Sequence, residues 1–184
     1  MTMVPLLADD AVPPPLAGLF EAVEEDYGFV PNILRALANT PELATAFLPL
    51  WAGVYRSPVI GGRLRALAAL GTARSLECTY CVAHMTRSAR RAGLVDTELD
   101  AIGDPDAEQS VFDPREALIL EVADALTQDP DGVTDDMRTE LAAAFTPGEV
   151  VNIVLAIGMY NLTSRVLKAL QIPVEDVLVA VEAS

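Results

Sequence analysis

Several residue types are scarce in this chain of 184 residues. It has one histidine and two cysteines, and aromatic residues make up only 5% of the sequence. Lysine and arginine number 12 against 27 aspartates and glutamates, which gives a net charge of −15. Because phosphate backbones and anionic headgroups attract basic surfaces, this excess of acidic residues argues against nucleic acid and membrane surfaces as partners.

Long apolar runs are also missing. The longest, residues 150–160, contains Asn152 and is shorter than a membrane-spanning helix. The first residues show no basic segment followed by an apolar one, so no secretory signal is predicted. We therefore expect a cytoplasmic protein whose thiols start out reduced.

The chain is rich instead in alanine, leucine and valine, and 52% of its residues are hydrophobic. With so few aromatic residues, and with no stretch of strand alternation, this composition predicts an all-α protein. The length suits one domain with a real core, spanning residues 1–184. Residues 1–15 end in three consecutive prolines and are predicted to be an extended N-terminal arm.

Capping residues and helix breakers predict where the helices lie. They are expected at residues 16–27, 33–38, 41–54, 62–74, 96–102, 114–128, 134–145 and 147–170, with a last short helix after Pro173. The chain around Gly103-Asp104-Pro105 is predicted to be a polar loop. The helix at 147–170 is apolar nearly all round in its first half, so we expect it to be buried centrally or in a subunit interface. Since one bundle of this size covers such a helix only partly, a homo-oligomer is predicted.

Both cysteines and the only histidine lie in residues 78–84, which read Cys-Thr-Tyr-Cys-Val-Ala-His. The Cys-x-x-Cys spacing places two thiols one helical turn apart, close enough to form a disulfide. His84 lies three residues beyond Cys81, so on a helix its imidazole borders that sulfur and can exchange a proton near neutral pH. With Ser75 as N-cap, Cys78 would lie in the first turn, where a thiolate is stabilised. This arrangement predicts that Cys78 is more exposed than Cys81.

Three other interpretations of the cysteines were weighed. Free cysteines are often small, inert core residues. A structural zinc site needs four protein ligands, and the chain offers only two cysteines and one histidine. A structural disulfide would need an oxidising compartment, for which the sequence gives no sign. We therefore predict a redox-active pair, with no metal site and no bound cofactor.

The motif at residues 78–84 resembles the signature of the carboxymuconolactone decarboxylase and alkylhydroperoxidase D-like (AhpD-like) superfamily, especially its peroxidase-related branch. The resemblance extends to Phe-Val-Pro-Asn at residues 29–32, to residues 115–134, and to an N-x-x-x-R pattern formed by Asn161 and Arg165. It implies an AhpD-like helical bundle that assembles as a dimer, trimer or hexamer, with the Cys-x-x-Cys at the start of a central helix.

The resemblance also implies roles for the cysteines. Cys81 would attack a small hydroperoxide and become a sulfenic acid, Cys78 would close the disulfide, and a partner dithiol would reopen it. His84 is predicted to supply the base. Two positions depart from the family pattern, since the usual relay histidine is replaced by Met85 and a frequent glutamate by Ala66.

Candidates for the missing proton relay are Glu77, Tyr80 and Glu116. Three functions therefore remain open. The leading hypothesis is a thiol-dependent peroxidase. A decarboxylase acting on a lactone ring by acid–base chemistry is poorly served by a single histidine. A non-catalytic oligomeric protein that binds ligands or senses redox state would explain the loss of the relay residues.

Overall fold

The computed structural model describes residues 2–182, so Met1 of the predicted arm lies outside the described residues. The structure is 74% helical and residues 2–182 contain no strand. The prediction of an all-α fold is therefore confirmed.

Residues 2–182 form eleven α-helices, preceded by a short 3-10 turn at Asp9–Ala11. In chain order they are α1 (Pro14–Tyr27), α2 (Asn32–Leu37), α3 (Pro41–Tyr55), α4 (Gly62–Ser75), α5 (Thr79–Arg91), α6 (Asp96–Ala101), α7 (Pro105–Val111), α8 (Pro114–Gln128), α9 (Asp135–Ala144), α10 (Pro147–Leu170) and α11 (Asp176–Glu182).

Helix α7 lies in the stretch that was predicted to be a polar loop. Asp104 is its N-cap, because its carboxylate accepts hydrogen bonds from the backbone N–H groups of Asp106 and Ala107 at 3.1 and 3.3 Å. Pro105 occupies the first helical position, where its fixed φ and missing N–H fit. None of the residues of α7 is buried. The helix therefore carries no apolar periodicity by which it could be predicted.

The chain divides into two compact units, which are described separately. The first consists of Met1–Gly53 and Val166–Ser184. Its core is formed by apolar residues of the first three helices and of the segments that join them: Leu16, Phe20, Val30, Leu34, Ala38, Ala44 and Leu48. The prediction of a single domain over residues 1–184 stays a prediction.

Hydrogen bonds hold the N-terminal arm within this first unit. The backbone N–H of Met3 donates to the carbonyl of Leu170 at 3.0 Å. Farther along the arm, the Leu7 N–H donates to the Arg35 carbonyl at 3.3 Å, and the Arg35 guanidinium donates to the Leu7 carbonyl at 2.9 Å. The arm therefore has defined backbone partners before α1 begins at Pro14.

The second unit, Val54–Arg165, is organised around α4, which packs against α5 and α8. All side chains from residue 66 to residue 73 of α4 are buried. Small residues make this close packing possible, as Gly71 illustrates. A Cβ atom at this position would lie 3.0 Å from Cδ2 of Leu120 on α8. The alanine-rich composition of α4 thus lets two neighbouring helices approach it closely.

Three charged side chains join the start of α4 to α6 and α8. The guanidinium of Arg63 donates to Glu98 and to Glu116, each at a closest distance of 2.5 Å. These three side chains, here called the Arg63 cluster, are 31%, 17% and 10% exposed in that order. The hydrogen bond from Arg63 lowers the pKa of Glu98.

The long helix α10 begins with a capping box formed by Thr146 and Glu149. The Thr146 N–H donates to the Glu149 carboxylate at 2.8 Å, and the Glu149 N–H donates to the Thr146 hydroxyl at 3.3 Å. Within residues 2–182, α10 is long enough and apolar enough to cross a bilayer, judged only by its length and composition. The expectation that no segment reaches this length was therefore wrong. A core helix of a water-soluble protein meets the same criteria.

One face of α10 is exposed to solvent. Val151, Val154, Leu155 and Leu162 are 59%, 39%, 48% and 50% exposed, and their spacing places them along one stripe of the helix. We call these four residues the α10 stripe. Within a single chain the helix is thus not buried on every side, and the subunit interface predicted for it stays a prediction.

Candidate active site

The segment between α4 and α5 changes the direction of the chain and places a cysteine at the start of α5. Helix α4 ends at Ser75, and Glu77 follows in the left-handed conformation with φ +50°. The Cys78 N–H then donates back to the Ala73 carbonyl at 3.0 Å. This pattern is a Schellman ending, in which glycine usually occupies the left-handed position. Cys78 therefore lies immediately before Thr79, the first residue of α5.

Cys78 itself is the N-cap of α5. Its Sγ accepts a hydrogen bond from the backbone N–H of Cys81 at 3.3 Å. The prediction of Ser75 as N-cap was wrong because α4 continues to that residue. The Ser75 hydroxyl instead donates to Asp124 on α8 at 2.6 Å.

The two cysteines are free thiols whose Sγ atoms lie 2.8 Å apart. A disulfide is about 2.05 Å long, so a movement of less than about 1 Å would close it. Cys78 is 2% and Cys81 3% exposed, so the prediction that Cys78 is the more exposed was wrong. The reason is the cap, which turns the Cys78 sulfur back over the first turn of α5.

Ser164 on α10 completes the immediate surroundings of Cys81. Its hydroxyl lies 3.1 Å from the Cys81 Sγ, and its side chain is wholly buried. No motif in the sequence points to Ser164. A hydroxyl within an apolar helix indicates that a polar group of another element lies opposite it, but the sequence does not identify the residue that carries this group.

Neighbouring groups act on the ionisation of Cys81 in opposite directions. Contact with the Cys78 sulfur, and then burial, raise the pKa of the Cys81 thiol far above its ordinary value. The Ser164 hydroxyl lowers the pKa of Cys81. Two thiolates at this separation repel each other, so ionisation of one sulfur disfavours ionisation of the other.

Asn161 joins α10 to α8 near the sulfurs, and Arg165 bonds to Asn161 within the same helix. The Asn161 side-chain amide donates to the hydroxyl of Thr127 on α8 at 2.9 Å. The Arg165 guanidinium donates to the Asn161 carbonyl at 3.0 Å. Asn161 thus ties α10 to α8 one turn before Ser164, and Arg165 holds Asn161 from within α10.

His84 lies on the buried side of α5. It is 6% exposed, and its ring stacks on Tyr80 with 4.4 Å between ring centroids and an interplanar angle of 19°. Its role as the base for Cys81 stays a prediction. Met85 and Ala66, which replace the family's relay residues, are both buried.

The proposed substitutes for the relay lie in different places. Tyr80 is buried in the first turn of α5, whereas Glu77 is exposed at the helix junction. Glu116 belongs to the Arg63 cluster, where both of its carboxylate oxygens accept hydrogen bonds from Arg63. Within residues 2–182, no group of three or more histidine, cysteine, aspartate or glutamate side chains is arranged to hold a metal ion.

The fold and the site together define a class of protein, an all-α unit with two buried thiols at the start of a helix. The sequence profile of the carboxymuconolactone decarboxylase family matches residues 41–129. The uncharacterized protein YnjA of Escherichia coli (strain K12) is 32% identical over 126 residues, which is 68% of each chain. The chain belongs to the carboxymuconolactone decarboxylase family.

Solved structures share its fold over nearly the whole length. A peroxidase-related protein from Silicibacter sp. TM1040 superposes with a TM-score of 0.84 at 22% identity, over 95% of this chain and 92% of that one. A peroxidase-related protein from Ralstonia eutropha JMP134, described as an AhpD core, gives 0.84 at 19% identity, over 96% and 94%. The debrominase Bmp8, in complex with 2,3,4-tribromopyrrole, gives 0.78 at 22% identity, over 98% and 97%. At these identities the matches show the AhpD-like fold.

Proposed function

We propose that this protein is a thiol-dependent oxidoreductase that reduces small hydroperoxides through a dithiol–disulfide cycle of Cys78 and Cys81. The observation that carries the proposal is the pair of free thiols 2.8 Å apart at the start of α5. The fold that the chain shares with peroxidase-related proteins supports the same reaction class.

The proposed cycle has two chemical steps. The Cys81 thiolate attacks the terminal peroxide oxygen, so an S–O bond forms and the O–O bond breaks. The departing alkoxide takes up a proton and leaves as an alcohol, while Cys81 becomes a sulfenic acid. The Cys78 thiolate then attacks the Cys81 sulfur, forms the S–S bond and expels hydroxide, which takes up a proton and leaves as water.

The burial of the two cysteines restricts the size of the substrate that can reach them. Because both sulfurs are at most 3% exposed, the proposal favours a hydroperoxide with a small reacting end. A partner dithiol would return two electrons and two protons to the disulfide by thiol–disulfide exchange. This cycle requires reduced thiols at rest, which fits a cytoplasmic location.

A thiol titration tests the proposal. One equivalent of ethyl hydroperoxide should remove both free thiols of the wild-type protein and release one equivalent of the alcohol. Mass spectrometry should then find a loss of two hydrogens within the peptide that contains Cys78 and Cys81. The Cys81→Ser protein should keep its remaining thiol. Two thiols that stay unreacted in the wild-type protein would contradict the peroxidase function.

The match to the debrominase favours a second candidate, reductive removal of bromine from a small bromopyrrole. The same pair of thiols balances this reaction. A carbon–bromine bond becomes a carbon–hydrogen bond while two thiols become a disulfide, with release of bromide and a proton. Measuring bromide released from 2,3,4-tribromopyrrole, beside alcohol released from the hydroperoxide, separates the two candidates.

A further inference from the structure

Among the buried polar groups of the second unit, Ser164 makes a contact that no motif predicted. Its neighbour Thr163 shows what a buried hydroxyl in a helix ordinarily does, since it donates to the Met159 carbonyl one turn back at 2.9 Å. The Ser164 hydroxyl instead lies against the sulfur of Cys81 on another helix, at 3.1 Å. Two adjacent hydroxyls on α10 therefore have different partners.

We propose that Ser164 is a catalytic hydrogen-bond donor that stabilises the thiolate of Cys81 and thereby makes Cys81 the attacking cysteine. The inference rests on the proposed function and names a residue that this function needs. A thiolate accepts hydrogen bonds and cannot donate one, so on ionisation of Cys81 the Ser164 hydroxyl must be the donor of this contact. A hydrogen bond to a charged acceptor is stronger than one between neutral groups.

The surroundings of Cys81 explain why a serine matters here. Met85 and Ala66 are buried apolar residues and offer no hydrogen bond to a thiolate. The Cys81 N–H donates its hydrogen bond to the Cys78 sulfur, so this backbone donor does not stabilise a thiolate at Cys81. Ser164 is the side-chain group whose hydrogen bond lowers the pKa of Cys81, against the effects of Cys78 and burial.

The fold fixes the Ser164 hydroxyl at this place. Asn161, one turn earlier on α10, is bonded to Thr127 of α8. Arg165, the next residue, is bonded back to the Asn161 carbonyl. The bond from Asn161 to Thr127 joins α10 to α8 one turn before Ser164, so the hydroxyl needs little rearrangement when Cys81 ionises. Such preorganisation is what makes a single donor effective in a buried site.

The experiment measures the pKa of Cys81 from the ultraviolet absorbance of its thiolate. The thiol of Cys78 also titrates, so it is removed in two backgrounds, Cys78→Ser and Cys78→Ala, of which either suffices if the other does not fold. His84 remains present throughout. Ser164→Ala should raise the apparent pKa by about one unit, which is a tenfold lower thiolate fraction below the pKa. Ser164→Thr keeps the hydroxyl and should stay near the value of the same Cys78 variant with Ser164 intact.

Thr163→Val is the matched control, since it removes a buried hydroxyl from the adjacent residue without touching the sulfur. It should leave the titration curve unchanged. A Ser164→Ala curve that overlays the curve of the same Cys78 variant with Ser164 intact overturns the inference, as does an equal shift in Thr163→Val. Because the titration needs no peroxide, it tests Ser164 even if the protein proves inactive toward hydroperoxides, and that inactivity would contradict only the proposed function.

Discussion

Replacing Arg63 by methionine should destabilise the fold of the second unit. The substitution removes the cation that holds Glu98 and Glu116 and leaves two carboxylates close together with no counter-charge. Removing one partner of a buried ion pair costs about 3–5 kcal/mol. Since Arg63 is 31% exposed, solvent compensates part of this loss. We expect the free energy of unfolding to fall by about 2–3 kcal/mol at pH 7.

The pH dependence gives the prediction a second, independent observable. Arg63 lowers the pKa of Glu98 in the folded protein. A carboxylate with a lowered pKa contributes stability that is fully present above its unfolded pKa, about 4.3, and is lost as the pH falls through its folded pKa. The difference in stability between the wild-type and Arg63→Met proteins should therefore shrink as the pH is lowered below about 4.3.

Urea unfolding followed by circular dichroism, at pH 7 and at several acidic pH values, measures both effects. The matched control is Arg138→Met, which breaks a pair with Asp135 whose side chains are 57% and 100% exposed. Because this pair is exposed to solvent, the substitution should leave the free energy of unfolding nearly unchanged. A loss of stability in Arg63→Met no greater than in this control, or equal at every pH, would contradict the role assigned to the Arg63 cluster.

Three further predictions concern the site and its surroundings. His84→Gln should raise the apparent pKa of Cys81 and slow its alkylation by iodoacetamide at neutral pH, and an unchanged pH–rate profile would remove His84 from the mechanism. Light scattering should give an oligomer mass for the wild-type protein and a lower mass for Leu155→Glu, whose charge lies on the α10 stripe; a wild-type monomer at micromolar concentration would contradict this. Glu77→Gly should raise the free energy of unfolding by up to about 1 kcal/mol, because glycine adopts a positive φ without strain. Chemical denaturation would show an error in that reasoning as a loss of stability.

Local signals account for most of what the sequence predicted correctly. The capping box of Thr146 and Glu149 acts across three residues, so both partners are visible in the sequence. The proximity of Cys78 and Cys81 likewise follows from a spacing of one helical turn. Fold class and the extents of most helices depend on such short-range patterns, which explains their agreement with the structure.

Competition between local signals explains the misplaced start of α5. Serine is a good N-cap, and Ser75 stands where a cap could begin a helix. The outcome was decided by the helix before it, since α4 continues to Ser75 and ends with Glu77 in the left-handed conformation. A glycine at position 77 would have marked this ending, but a glutamate does not.

The tertiary contacts of the site could not be predicted. Ser164 lies 83 residues from Cys81 in the chain, and the contact depends on how α10 is rotated against α5. That rotation is set by the bond between Asn161 and Thr127, which is itself a long-range contact. Likewise Glu116 was a candidate for the relay until the structure placed it beside Arg63.

The N-cap of α5 gives the cysteine pair a thermodynamic property of its own. In the reduced protein the Cys78 sulfur accepts the Cys81 N–H, and a thiolate there would also meet the positive end of the helix dipole. Thiol and disulfide sulfurs are both uncharged, weak acceptors, whereas a thiolate is a strong one, so oxidation weakens the cap when the reduced pair carries its thiolate at Cys78. In a thermodynamic cycle linking folding to reduction, whatever stabilises the reduced fold more than the oxidised one raises the reduction potential by the same free energy. The start of α5 therefore biases the pair toward the dithiol, and the disulfide is the better oxidant for it.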